Sequence, residues 1–349
     1  NLMVNQMKNY VQTLGFITAL LLCLNISIAN AQTIKILVHS TYAPDMMDLE
    51  DTYSNLEIVT ASNHAEFLAN VEDCQAIIGS GYEAGSVIKA GKKLKWIQST
   101  SAGVEGYLRT SDMIERDILL TNAKIIQGPE IADHALGLLL NLTRDLKHYN
   151  QQMSEGWKRQ GNLPHVELRG KTALIVGLGG IGTQTAERCF AFGMNVIAID
   201  WKDIPFMRSV DYLGKPEEFH ELLPRADVII SCVPHTKESD KMFDAEAFDL
   251  MKDGVYFINV SRGKVVDTPA LVKALASGKV AGAGLDVTDP EPLPADHPLW
   301  DMPNVTITPH IATDSDGLRA RRIALFRDNI IRFVEGRRMR NVVGKEREF

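Results

Sequence analysis

The segment that most constrains this chain is Gly177-Leu178-Gly179-Gly180-Ile181-Gly182. It follows at once on a strand-like run, Thr172–Val176, and opens a helix-like segment from Ile181 to Phe192, with Gly193 placed as a C-cap. A second strand-like run, Met194–Ile199, then ends in Asp200, 23 residues after Gly177. Strand, glycine turn, helix, strand and acid in that order form a dinucleotide-binding βαβ unit. Gly177 allows the tight turn, Gly179 lets backbone approach a pyrophosphate, and Gly182 lets helix and strand pack closely. The N–H groups of the first helical turn, around Gly180 and Ile181, offer donors and a partial positive charge to phosphates. Asp200 is placed to accept hydrogen bonds from the adenosine ribose and to repel a 2′-phosphate. NAD is therefore expected over NADP, a preference that the nearby Lys202 weakens. The glycine motif alone also accommodates FAD or an S-adenosyl ligand.

At about 150 residues per domain, 349 residues imply two domains. Strand-like runs at Ile34–Val38, Leu56–Thr60, Ala76–Gly79, Trp96–Ser99 and Ile118–Thr121 alternate with helix-like segments at His64–Asn70 and Ala84–Ala90. A long helix is expected from about Pro129 to Gln152, because Pro129 suits a first turn and Ala135, Leu138, Leu139, Leu142 and Leu146 recur at helical spacing. Beyond the glycine motif, strands are expected at Ala226–Cys232, Val255–Val260, Ala281–Val287 and Val305–Thr308, and a final helix over Gly317–Glu335. Such alternation predicts parallel α/β architecture. With 45% hydrophobic and 23% charged residues, the chain is neither disordered nor collagen-like. A net charge of −7 argues against nucleic-acid binding, which needs a basic face. Cys74, Cys189 and Cys232 have no metal-like spacing, so no zinc site and no disulfide framework is expected, and Cys189 and Cys232 read as core residues.

The first 31 residues read as a leader. Lys8 precedes the apolar run Leu14–Leu24, and Ala29-Asn30-Ala31 offers a small-x-small cleavage site. Removal after Ala31 leaves 318 residues with no membrane span and predicts an exported, periplasmic protein, or a cytoplasmic one if the leader is an artefact of the start site. An exported protein would meet little NAD, a tension that the sequence leaves standing.

Three further segments carry chemistry: Val260-Ser261-Arg262-Gly263, Gly284-Leu285-Asp286-Val287 followed by Asp289-Pro290-Glu291-Pro292, and Thr308-Pro309-His310-Ile311-Ala312. Each lies at or just past an expected strand, and in an open parallel sheet ligands bind beyond the carboxyl ends of strands. Singly, each has a bland reading, as a surface ion pair, a solvated loop acid or a packing histidine. With Ser101-Ala102-Gly103-Val104, Thr121-Asn122-Ala123, Ile131-Ala132-Asp133-His134, the glycine motif, Met251-Lys252 and Asp296-His297-Pro298-Leu299-Trp300, they form an ordered set. In that set the chain resembles the D-isomer-specific 2-hydroxyacid dehydrogenase family over nearly the whole of its length after the leader. Asp133, where Glu is more usual, and His235 after Pro234 depart from the pattern.

The resemblance implies two Rossmann/flavodoxin-like parallel-sheet domains with the active site in the cleft between them. Residues 32–134 and 312–349 would form a discontinuous substrate domain and 135–311 the NAD-binding domain. Arg262 would grip a small 2-oxo or 2-hydroxy acid and polarise its carbonyl. His310 would be the general acid and base, with Glu291 orienting its ring and favouring its protonated form. Backbone N–H groups around Gly103 and Val104 would hold the substrate carboxylate. Val233, Pro234 and Asp286 would flank the nicotinamide end, and Val260 and Ala312 complete the cofactor contacts. Tyr42, Met46 and Trp300 are candidates for the substrate side-chain pocket. His134 reads as a packing residue, His297 as ordering a loop, and His235 as lying near the nicotinamide. A homodimer and a glyoxylate or hydroxypyruvate reductase-like activity are implied; the alternative is an NAD(H)-sensing regulatory module of the same fold.

Overall fold

Strands that are apolar along their whole length must be covered on both faces, and the chain builds two sheets of this kind. The computed structural model describes residues 32–79, 84–158 and 165–347. The leader-like stretch of residues 1–31, with Lys8, Leu14–Leu24 and Ala29-Asn30-Ala31, lies outside them. Among the described residues no helix is long and apolar enough to cross a membrane. The chain divides into two compact units. One holds the described residues up to Gln98, with Thr110–Leu120 and Phe326–Arg340; the other holds Ser99–Arg109, Thr121–Leu325 and the residues from Asn341 onward.

The first sheet comprises β1 (Ile34–His39), β2 (Leu56–Ala61), β3 (Ala76–Ile78), β4 (Trp96–Gln98) and β5 (Leu119–Thr121), in the spatial order β2-β1-β3-β4-β5. That is the flavodoxin-like order, and β1–β2, β1–β3 and β3–β4 pair in parallel. Leu37, Ile77, Ile97 and Trp96 are fully buried, and Trp96 meets the Phe333 ring at 5.2 Å. Of the candidates for the substrate pocket, Met46 is fully buried and so a core residue, and the Tyr42 ring stands edge-on to Phe326 at 5.3 Å. Burial also pushes the Cys74 thiol up to about 11.

The second sheet has seven strands: β6 (Thr172–Val176), β7 (Asn195–Ile199), β8 (Tyr212–Gly214), β9 (Val228–Ser231), β10 (Val255–Asn259), β11 (Val280–Leu285) and β12 (Val305–Ile307). Their order, β12-β11-β10-β9-β6-β7-β8, is the Rossmann order with one added strand, and its pairs are parallel. Side chains alternate across it. Leu174, Val176 and Phe257 pack on one face with Phe243 and Phe248, whereas Ala173, Ile175 and Ile258 pack on the other with Ile131, Ala135, Leu138 and Leu139. Phe257 meets Phe243 at 4.9 Å and Phe248 at 5.6 Å in edge-to-face pairs. Cys189 is fully buried beside this second layer, which pushes its thiol up to about 12.

The structure corrects the expected long helix. It runs Gly128–Thr143, stops, and restarts as Leu146–Gln152. The break is Asp145, at φ 53°, a left-handed conformation that short polar side chains tolerate and that ends the hydrogen-bond ladder. Apolar spacing continues across the break, which is why periodicity alone joined the two helices. Strand β8 and the helices Ala245–Leu250 and Thr268–Ser277 were not anticipated either.

In the first unit the C-terminal helix is pinned by Asn329, which is fully buried, donates to Gln98 Oε1 at 2.8 Å and accepts from the Arg340 N–H at 2.8 Å. Replacing it with an apolar residue of similar size removes the buried bond to Gln98 and the bond to the Arg340 backbone. Asn329→Leu is expected to lower stability by about 1–3 kcal/mol, measured as a shift of the urea midpoint with an unchanged slope.

Candidate active site

The glycine turn comes first, because its geometry leaves little freedom. Gly177 stands at φ 91°, a conformation that costs other residues more than glycine. A Cβ on Gly182 would lie 1.9 Å from the Gly177 carbonyl oxygen, so only glycine lets the helix Gly180–Ala191 approach β6. A Cβ on Gly179 would meet nothing within 4 Å, which leaves open space where a phosphate must come close. Gly180 has a reason that the motif did not supply: a Cβ there would lie 2.5 Å from the Ile125 Cα. Ile125 is itself at φ 77°, a strained conformation for a β-branched residue. Asp200, at the end of β7, accepts from the Leu178 N–H at 2.8 Å and from the Lys202 N–H at 2.9 Å. Its carboxylate thus braces the turn and keeps lone pairs for a ribose. Val233 packs on the turn, its Cγ1 lying 2.9 Å from where a Gly177 Cβ would be. The cradle, the helix start and the acid fit a dinucleotide.

Three neighbouring strands then deliver the remaining groups. In parallel register Asn259 pairs with Leu285, and Leu285 with Ile307. The loops that follow carry Arg262, Glu291 and His310 on one edge of the sheet. A Cβ on Gly263 would lie 1.8 Å from the Thr288 carbonyl oxygen, so the Arg262 loop packs directly on the loop that leads to Glu291. His310 Nδ1 is 2.6 Å from Glu291 Oε1. An ionised carboxylate only accepts, so Nδ1 carries the hydrogen and Nε2 is left to exchange a proton.

His310 itself stands at φ 55°, and Asp286 explains how that conformation persists. The Asp286 backbone carbonyl accepts from the His310 N–H at 2.9 Å. Its buried carboxylate accepts from Thr308 Oγ1 at 2.7 Å and from the N–H groups of Ile311 at 3.0 Å and Ala312 at 3.1 Å. Thr308 Oγ1, having given its hydrogen to Asp286, accepts from His134 Nε2 at 2.8 Å. His134 is thus a packing residue with a hydrogen-bonding task, and Asp286 is the keystone of the His310 loop. His297 caps the short helix Pro298–Trp300 by accepting from the Leu299 N–H at 3.3 Å.

Arg262 is held from several sides. Asn259 Nδ2 donates to the Arg262 carbonyl at 2.9 Å, and Asn259 Oδ1 accepts from the Ser261 N–H at 3.0 Å and from Ser261 Oγ at 2.7 Å. The guanidinium donates through Nη1 to the Ser261 carbonyl at 2.8 Å and through Nε to Glu105 Oε1 at 3.0 Å. Its Nη2 lies over Gly103, where a Cβ would be 2.0 Å away. The Gly103 segment is tied by Asn122 Nδ2 donating to the Ala102 carbonyl at 2.7 Å and by Gln127 Oε1 accepting from the Ala102 N–H at 3.1 Å. Val104 is buried next to it. Burial pushes the Glu105 carboxyl up, but Arg262, a backbone N–H and His235 outweigh that and hold it below the usual carboxylate range. His235 Nε2 is 2.7 Å from Asp240 Oδ1.

Sequence reasoning missed Glu105, although it directly follows the Ser101-Ala102-Gly103-Val104 segment; an acid one residue past a recognition turn was the available signal. Trp300 donates through Nε1 to the Pro294 carbonyl at 2.8 Å and lines a cavity of about 430 Å³ with Asn141, Lys147 and Thr306; neither Arg262 nor His310 lines it. Pro234 is exposed, and Val260 and Ala312 are buried at the ends of their segments.

Comparison with known proteins finds relatives along most of the chain. The family model described as "D-isomer specific 2-hydroxyacid dehydrogenase, NAD binding domain" matches residues 136–312. The chain is 34% identical over 316 residues to a D-3-phosphoglycerate dehydrogenase of Archaeoglobus fulgidus, a match that takes in 88% of this chain and only 59% of that protein. It is 34% identical over 290 residues to a glyoxylate reductase of Thermofilum pendens, covering 80% of this chain and 84% of the other. Among solved structures, a D-isomer specific 2-hydroxyacid dehydrogenase family protein of Aeromonas salmonicida superposes with a TM-score of 0.78 at 31% identity, covering 90% of this chain and all of that one.

The glycine turn generates a direct test. Gly182→Ala must push the helix off β6, a strain of about 1–3 kcal/mol. NADH fluorescence titration is expected to show affinity weakened about 10-fold or more, with the far-ultraviolet circular dichroism of the fold retained.

Proposed function

Because the chain belongs to the D-isomer specific 2-hydroxyacid dehydrogenase family, we propose that it is an NAD-dependent oxidoreductase interconverting a small 2-oxo acid and the D-2-hydroxy acid. Glyoxylate and hydroxypyruvate are the first substrates to try. The observation that carries the reading is the 2.6 Å contact of His310 Nδ1 with Glu291 on the strand edge that also carries Arg262. NADH, when bound, supplies the hydride to C2 of the oxo acid. His310 Nε2 gives the proton that turns the developing alkoxide into a hydroxyl, and takes it back in the oxidative direction. Glu291 fixes the ring and its tautomer, and stabilises the imidazolium that forms when the alcohol is oxidised. Arg262 presents fixed, charged donors to the carboxylate and carbonyl of the acid. Backbone N–H groups around Gly103 and Val104 share the carboxylate. Asp200 supports NAD over NADP, since a 2′-phosphate would meet its charge, and Lys202 moderates that preference.

A homodimer belongs to the same reading. After the helix Leu146–Gln152, Met153 and Trp157 are 76% and 99% exposed, an apolar display that a second copy would cover. Light scattering of the purified protein is expected to give twice the chain mass.

A panel of 2-oxo acids with NADH decides the main reading, saturable oxidation being expected. Tight NADH binding without turnover of any acid would overturn it in favour of a sensing module. His310→Asn is expected to lower kcat by about 10²–10⁴-fold, and Arg262→Ala to lower kcat/KM by a similar factor, both with NADH affinity within about twofold of the parent because neither residue touches the glycine turn.

A further inference from the structure

We propose that Glu105 is the positioning residue for Arg262: its carboxylate holds the guanidinium by Nε, so that the Nη2 edge is presented over Gly103. The inference rests on the proposed role of Arg262. A guanidinium at the end of four rotatable bonds has no orientation of its own. Here two of its nitrogens are bound, Nε to Glu105 Oε1 at 3.0 Å and Nη1 to the Ser261 carbonyl at 2.8 Å. Among the described residues Nη2 has no hydrogen-bond partner, so its two N–H groups, with the second N–H of Nη1, are donors left for an acid. Glu105 and Arg262 press on the same point, since a Gly103 Cβ would lie 2.0 Å from Nη2 and 2.7 Å from Glu105 Oε2. The absence of a side chain at 103 is therefore what lets the pair lie against the backbone.

Two features make this more than a surface ion pair. Both side chains are about one-third exposed, Arg262 at 32% and Glu105 at 31%, so neither swings freely in water. Moreover the chain segments on both sides are fixed, the 101–104 turn by Asn122 and Gln127 and the Arg262 loop by Asn259. Glu105 also partly neutralises Arg262 in the free enzyme, and His235 adds a second favourable partner for its carboxylate.

The test is a double-mutant cycle on the full chain, read by steady-state kinetics with NADH and the most active oxo acid and by NADH fluorescence titration. Glu105→Ala is expected to lower kcat/KM about 100-fold, the scale of a roughly 1 Å misplacement of a substrate-orienting group, with NADH affinity unchanged. Glu105→Gln, which keeps an acceptor in the same place, is expected to recover to within about fivefold of the parent, a partial loss because a charged acceptor binds more strongly. In an Arg262→Lys background, where no Nε exists, Glu105→Ala should cost less than about threefold, since coupled residues are non-additive. Parental kinetics for Glu105→Ala beside a crippled Arg262→Lys overturns the proposal, as does an equal loss in both backgrounds. If the alanine variant is insoluble, Glu105→Asp serves: one methylene short, it should raise KM about tenfold, and a parental KM overturns the proposal. Failure of the underlying reading looks different, because Arg262→Ala would then itself keep full turnover.

Discussion

Parallel pairing of β10, β11 and β12 is the constraint on which the site depends. In a parallel sheet every strand ends on the same edge, and every return to the opposite edge must cross over the sheet. The register that pairs Asn259 with Leu285 and Leu285 with Ile307 therefore delivers three successive loops side by side. Arg262, Glu291 and His310 are far apart along the chain, yet none needs a special device to reach the others' neighbourhood. Gly263 closes the remaining gap, because without a Cβ it lets the Arg262 loop lie on the Thr288 carbonyl.

The sheet brings loops together, but it does not orient a ring. That task falls to Asp286, whose backbone and carboxylate together accept from His310, Thr308, Ile311 and Ala312. A left-handed histidine costs about 1–3 kcal/mol, and this set of bonds in a buried setting offsets it. Positive φ turns the His310 side chain so that Nδ1 meets Glu291, and the tautomer follows from the acid's inability to donate. Asp286 was expected among the cofactor contacts; its bonds show what it does to the His310 loop, which it holds from four sides. Ile125, beside Gly180, is another residue held at positive φ.

Legibility in the sequence followed the range of the interaction. The Gly177–Gly182 turn was readable because its first and last glycines answer local demands, a positive φ at 177 and a close helix–strand contact at 182. The strands of both sheets were readable from their apolar runs, apart from β8, whose Tyr212-Leu213-Gly214 starts exposed and ends in glycine, and so offers no apolar run. The helix break at Asp145 was hidden, because one left-handed residue leaves the apolar spacing on either side intact. Met46, a candidate for the pocket, is a core residue, a choice left open by the sequence because hydrophobicity does not say which way a side chain faces. Glu105 was passed over because its partner, Arg262, lies 157 positions away.

By itself the amino-acid order determined the local chemistry: two alternating α/β halves, a turn that only glycines can make, and an arginine, a glutamate and a histidine each placed just after a strand. Those properties depend on neighbours within a few residues, where sterics and side-chain period act directly. Only the tertiary structure decided which donors stay free, which carboxylate holds which cation, and which conformation the histidine takes. Hydrogen bonds and ion pairs form between atoms that meet in space, and the crossovers of a doubly wound sheet make spatial neighbours of residues that the chain keeps far apart.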